Sequence, residues 1–151
     1  MAFRFDKLTI KAQEAVQQAQ DLAADRGNPQ IDPLHLLAAL LTENEGVVRP
    51  ILDKIGSNRA QLDRTVQAEL GHFPKTSGGA PPQLSPALTQ VLEAAQKESG
   101  TMKDDFVSTE HLLLALAKVD SKAKNLLKLN GITEKDLLEA MREIRGNQRV
   151  T

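Results

Sequence analysis

Asp32-Pro33-Leu34-His35-Leu36-Leu37-Ala38-Ala39-Leu40 and Ser108-Thr109-Glu110-His111-Leu112-Leu113-Leu114-Ala115-Leu116 share one pattern: a helix-capping residue, a histidine three positions on, then an apolar run. They lie 76 residues apart. The same offset lays Leu8-Thr9 on Leu84-Ser85, Ala15-Val16 on Val91-Leu92, Ala19-Gln20 on Ala95-Gln96 and Ile31 on Val107. An offset of 75 then lays Ile51-Leu52 on Leu126-Leu127, Gly56 on Gly131 and Leu62 on Leu137. Unrelated amphipathic helices share an apolar phase, but not a histidine and a glycine at matching offsets, so the chain is an internal duplication. Each half alone exposes an apolar face. The two halves are therefore expected to pack as one pseudo-twofold domain.

The surrounding residues predict all-α structure, eight helices in two four-helix repeats, without a sheet. Ala12, Ala15, Val16, Ala19, Leu22 and Ala23 form one face of a helix from about Thr9 to Arg26, with Thr9 as its cap and Gly27 as its stop. Asp32-Pro33 reads as an N-cap followed by an N1 proline, opening a second helix to about Glu43. Val47 to Lys54 is a short third helix, and Asn58 caps a fourth. Residues 72–83, with three prolines and two glycines, predict a mobile linker, and the part from 74 to 83 lacks apolar anchors. Ser85-Pro86 opens a fifth helix, Ser108 caps a sixth through about Lys118, and Asp120 to Lys128 is a seventh. Thr133-Glu134-Lys135-Asp136, a capping-box pattern with Asp for Glu or Gln, opens the eighth. Repeat one is expected over about 5–71 and repeat two over about 84–146.

Composition agrees and excludes whole classes of function. Of 151 residues, 22 are Leu and 18 are Ala, strong helix formers, while Val, Ile and Phe together number 18. Nineteen basic and 20 acidic side chains give a formal net charge of −1, evenly divided between the halves. There is no clustered Lys/Arg footprint, no Trp and no Tyr, which argues against nucleic acid. No cysteine is present, so disulfides, thiolate metal sites and cysteine nucleophiles are excluded. No apolar stretch approaches a membrane span, and Met1 to Asp6 lacks a signal-peptide core, so a cytoplasmic protein without membrane contact is expected.

Phe5 to Gln13, Asp32 to Leu37 and Lys103 to Leu116 carry a family resemblance. The chain resembles the Clp N-terminal domain, the double four-helix repeat at the front of the Clp ring ATPases, and most of all its protein-disaggregase branch. The resemblance covers essentially all 151 residues, and Arg145 to Thr151 is similar to the start of the linker to a first ATPase module. It implies a hexameric parent that threads aggregated polypeptide through its pore with a partner chaperone, using ATP and magnesium in its ATPase modules. The sequence holds no Gly-x-x-x-x-Gly-Lys-Ser/Thr phosphate loop. The expected role of this fragment is thus binding rather than catalysis, as a monomer without a cofactor of its own.

His35 and His111 sit three residues past their caps. A metal pair would need further donors, and His72 lies in the linker, so the simpler reading has each imidazole fixing the loop before its helix. Thr9 reads as an N-cap and Glu110 as a favourable first-turn acid. The resemblance adds that Thr9, Asp104 and Glu110 border a shallow substrate groove. Its floor comes partly from helix five and the start of helix six. Ala94, Glu98 and His111 stand where some relatives carry larger apolar residues, which implies a shallower, more polar groove. In another branch of the family a Thr-Glu-His in each repeat forms a phosphoarginine pocket. Here repeat two keeps Thr109-Glu110-His111, while Leu34 replaces that Glu in repeat one. Two functions follow: a substrate-engaging domain that binds unfolded or aggregated polypeptide, or an adaptor-docking regulatory module.

Overall fold

The computed structural model describes residues 3–76 and 78–146. The expected linker to an ATPase module, 147–151, lies outside them, as does Ser77. A single 3-10 turn, Phe5–Lys7, leads into α1 (Ile10–Asp25), followed by α2 (Pro33–Thr42), α3 (Val48–Ile55) and α4 (Arg59–Leu70). After the connection come α5 (Pro86–Thr101), α6 (Thr109–Lys118), α7 (Lys122–Leu129) and α8 (Glu134–Arg145). The caps read from the sequence form: the side chains of Thr9, Asn58, Ser85 and Thr133 each accept an N–H of the first turn they precede.

Helices α2 and α6 are buried around their whole circumference. Every residue from Pro33 to Leu40 and from Thr109 to Ala117 is buried. A helix without a polar face must lie inside, and the other elements wrap these two. Helix α1 packs on α2 and α5 on α6, while α2 also touches α6 directly. Contacts across the repeats follow the duplication, since α3 packs on α8 and α4 on α7.

One expectation fails in a small and informative way. The halves are joined by short parallel backbone pairings, β1 (Gln30–Ile31) with β2 (Gln83–Leu84), and an isolated bridge between Leu8 and Val107. Leu84 is the repeat mate of Leu8, and Val107 that of Ile31. Each half therefore lends the segment before its first helix to the segment before the other half's second helix. Thr9 N–H donates to Val107 O at 2.9 Å and Ser85 N–H to Ile31 O at 3.2 Å. Two-residue strands are too short to show alternation, which is why the sequence pattern predicted none.

The connection 72–83 is also tied down at several points. The Asn28 amide donates to Pro74 O at 3.0 Å, Thr76 N–H donates to Gly27 O at 2.8 Å, and Phe73 is half-buried against the core. Phe73 is an apolar anchor at the start of this connection, just before the stretch 74–83.

The loops that end α1 and α5 are copies. Asn28 N–H donates to Ala23 O at 2.9 Å and Asp104 N–H to Ser99 O at 2.8 Å, again 76 residues apart. The turn needs a left-handed residue, supplied by Gly27 at φ +70° in one repeat and by Lys103 at φ +60° in the other. Lys103 is the one non-glycine residue at positive φ among the described residues. A side chain in that region costs on the order of 1 kcal/mol. Lys103→Gly should therefore gain up to about 1 kcal/mol in urea unfolding, whereas Gly27→Ala loses about that amount. A Lys103→Gly variant less stable than the parent by a similar margin would contradict the account of this turn.

Candidate functional site

Both histidines are fully buried, and each does the same work. His35 Nδ1 accepts the backbone N–H of the cap residue Asp32 at 2.8 Å, and His111 Nδ1 accepts that of Ser108 at 2.9 Å. Histidine thus fills the place that Glu or Gln holds in a capping box. With Nδ1 an acceptor, the proton sits on Nε2. His35 Nε2 donates to Asn28 Oδ1 at 2.8 Å and His111 Nε2 to Asp104 Oδ2 at 2.7 Å. Each ring joins the loop before its helix to the helix start, as the sequence reading held. Burial, aided by the Arg26 charge, lowers the pKa of His35 from 6.5 to about 4. Burial also lowers His111, outweighing its hydrogen bond to Asp104 and the charges of Glu110 and Asp104.

The two copies differ in what surrounds the shared frame. In repeat one the loop residue is neutral Asn28, the second helical position is buried Leu34, and the Phe73 ring meets His35 edge-on with centroids 5.5 Å apart. In repeat two these positions are Asp104 and Glu110, and a guanidinium arrives from α8. Arg145 Nη2 binds Asp104 Oδ1, its Nε lies 3.8 Å from Glu110 Oε1, and its Nη1 donates to Met102 Sδ at 3.3 Å. The hydrogen bond to Asp104 raises the Arg145 pKa further. Ser108 Oγ donates to Glu110 Oε1 at 3.2 Å, while Glu110 Oε2 is buried with no hydrogen-bond partner among the described residues. Repeat one carries an acid only at its cap, Asp32, and holds its histidine with the neutral acceptor Asn28, so a carboxylate at the Asp104 position is not a requirement of folding.

Of the residues singled out from sequence, the structure gathers Thr9, Asp104, Glu110 and His111 around the start of α6, Thr9 through its bond to Val107. His111 contributes through Asp104, because both its ring nitrogens are engaged and none of it is exposed. Glu98 lies apart from them. It pairs with Lys118 in the last turn of α6, eight residues, or about 12 Å of helix, beyond Glu110. Glu98 and Arg145 nevertheless line one cleft of about 740 Å³, with Met102, Lys118, Met141 and Arg142. Ala94 is half-buried on α5 and does not line it. Arg145 was missed from sequence, since 41 residues separate it from Asp104 and only the fold brings them together. Among the described residues no group of three or more His, Asp or Glu could hold a metal ion, and no helix is long and apolar enough to cross a membrane.

A duplicated four-helix unit, interlocked by swapped strands and carrying one acidic cluster at the start of its second central helix, defines an N-terminal domain of the Clp repeat class. Residues 7–130 match the family model of the Clp repeat (R) N-terminal domain, and the chain belongs to that family. It is similar to the chaperone protein ClpB of Rhodopirellula baltica, 46% identical over 151 residues, covering 100% of this chain and 17% of that protein. ClpB of Propionibacterium freudenreichii is 45% identical over 148 residues, with 97% and 17% covered. The chain therefore spans about 17% of the length of these relatives. The Hsp104 N-terminal domain from Candida albicans has the same fold, with a TM-score of 0.83 at 28% identity and 95% of both chains covered. The ClpV N-domain in complex with a VipB peptide superposes with a TM-score of 0.77 at 21% identity, covering 100% of this chain and 97% of that one.

The buried histidine makes stability depend on pH with a definite sign. Unfolded His35 titrates near 6.5 and folded His35 near 4, so between those values the unfolded chain binds more protons. Stability should fall as pH falls through that window, by about 3 kcal/mol from this one group. His35→Gln, able to accept the Asp32 N–H as a capping-box glutamine, should lose that part of the slope. Urea unfolding of both proteins across the window provides the check. Identical slopes would show that His35 is not held neutral.

Proposed function

We propose that this domain engages unfolded or aggregation-prone polypeptide at the Thr9, Asp104 and Glu110 edge of α6 and the cleft beside it. It hands that polypeptide to the ATPase ring of a ClpB-type parent. The observation that carries the reading is the asymmetry of the repeats. In one frame the histidine's acceptor is the neutral Asn28 and Phe73 packs on the ring, and in the other the acceptor is Asp104, joined by Glu110 and paired with Arg145. The buried, unpartnered Glu110 Oε2 offers an acceptor to an incoming chain. The similarity to ClpB chaperones and the VipB peptide complex of the ClpV N-domain support binding of a peptide by this fold. Leu34 removes the second acid that a paired phosphoarginine pocket requires, which disfavours that alternative.

Binding should be weak. A shallow cleft buries few apolar side chains, each worth roughly 1.5–3 kcal/mol before ordering costs. An affinity between about 10 μM and 1 mM follows, and copies tethered around a ring compensate by raising effective concentration.

Asp104→Asn is the cleanest probe, because repeat one shows that Asn in this position still accepts the histidine proton. Fluorescence anisotropy with a reduced, carboxymethylated unfolded protein should show at least a threefold (roughly 0.7 kcal/mol) weaker affinity for Asp104→Asn and for Glu110→Gln. Thr9→Ala should weaken it too, while costing about 1 kcal/mol of stability through the lost cap. If all three variants bind as the parent does, while one folded protein binds the domain tightly, the domain is an adaptor-docking module instead.

A further inference from the structure

Arg145 does more than neutralise two acids. It belongs to the last turn of α8, directly before Gly146, which ends the helix at φ +58°. Its guanidinium spans Asp104 and Glu110 and touches Met102, three residues from the α5–α6 corner and the start of α6. Its side chain is only 14% exposed, so it lies against the two carboxylates rather than out in solvent. The other arginine of that turn, Arg142, makes no comparable bond among the described residues, although it lines the same cleft. Repeat one has no counterpart, because the corresponding frame is sealed by Phe73, which is held against His35 and beneath the Lys122 ammonium at 5.1 Å.

We propose that Arg145 is an internal latch on the polypeptide site: it occupies the Asp104–Glu110 pair in the free domain, and an incoming chain must displace it. This rests on the reading of that pair as the polypeptide site. Asp104 Oδ1 and Glu110 Oε1, the oxygens that face Arg145, cannot be held by Arg145 and by an incoming chain at once, so occupancy of those two atoms and latching exclude one another. Displacement removes the Arg145 anchor of the final turn of α8, leaving the exposed Glu143–Lys54 pair as its remaining side-chain ion pair among the described residues, and the turn then frays. Occupancy of the site is thereby converted into loosening of the helix end that leaves the domain. The latch also lowers affinity, since only the unlatched fraction binds, and the apparent dissociation constant is the intrinsic one divided by that fraction.

Hydrogen–deuterium exchange resolved to the last turn of α8 tests this, with a reduced, carboxymethylated unfolded protein as the probe. In the parent domain, amides at 142–146 should exchange faster with the probe bound than without it, while the middle of α8 is unchanged. In Arg145→Gln they should already exchange fast and respond no further, and the variant should bind the probe about threefold or more tightly. Arg145→Lys, which keeps the charge but not the two-acid reach, should fall between the two. Circular dichroism melting identifies any variant that has lost the fold, and Arg145→Lys then carries the comparison. Faster exchange on binding together with tighter Arg145→Gln binding supports the latch. Unchanged exchange at 142–146 on binding, or a folded Arg145→Gln that binds more weakly than the parent, overturns it. If Asp104→Asn and Glu110→Gln weaken binding but exchange at 142–146 does not respond, the latch alone falls. If those two variants bind as the parent does, the site reading falls and takes the latch with it.

Discussion

The hydrogen bond from a cap residue's backbone N–H to a buried imidazole organises this domain. At each central helix that bond occupies Nδ1, places the ring proton on Nε2, and so obliges a hydrogen-bond acceptor to stand at Nε2. The acceptor comes from the loop seven residues upstream, which ties the end of the preceding helix to the start of the next. Because the imidazole is sealed from water, leaving either nitrogen unpaired would cost about 1–3 kcal/mol. The loop is thus held where its neighbouring backbone can pair with the other half. Ile31 and Val107, the residues that receive the swapped pairings, lie between the acceptor and the cap in each repeat.

This constraint also explains how duplication leaves room for a site. The frame demands an acceptor at Nε2 but is indifferent to its charge. Asn28 meets the demand with an amide whose nitrogen then secures Pro74, closing repeat one around Phe73. Asp104 meets it with a carboxylate whose second oxygen needs a cation, and α8 supplies Arg145. Glu110, where Leu34 stands in the other copy, adds a second acid at the positive end of α6. One half can therefore be pure scaffold while the other carries exchangeable charge. The left-handed Lys103 beside Asp104, where the mate is glycine, is a further departure confined to the same corner.

Most of the helical frame was legible in the sequence, because the repeat of His, Gly and cap residues at offsets of 76 and 75 reports on position as well as on periodicity. The caps Thr9, Asn58, Ser85 and Thr133 formed as read, since side-chain capping is a local interaction. What escaped depends on distance in the fold. The swapped strands pair residues from different halves, and two residues carry no alternation to detect. Phe73 looked like a linker residue because its partner His35 is far upstream. Around the acidic cluster, the family resemblance pointed to Asp104 and Glu110, and the spacing of His111 from its cap pointed to a structural imidazole, which its burial and its bond to Asp104 match. Glu98 read as a polar substitution in a groove floor, and the structure gives it the separate task of pairing with Lys118.

Of the two equivalent frames, the one in repeat two is proposed to bind polypeptide. Backbone amide chemical-shift mapping during titration with an unfolded protein tests it most directly, since each residue has an internal control 75 or 76 positions away. The account predicts shifts at Thr9, Asp104, Glu110 and Arg145 that saturate together, with the mates Asn28, Leu34 and Ser85 unmoved. Equal responses at the paired positions, or a response centred on repeat one, would contradict it.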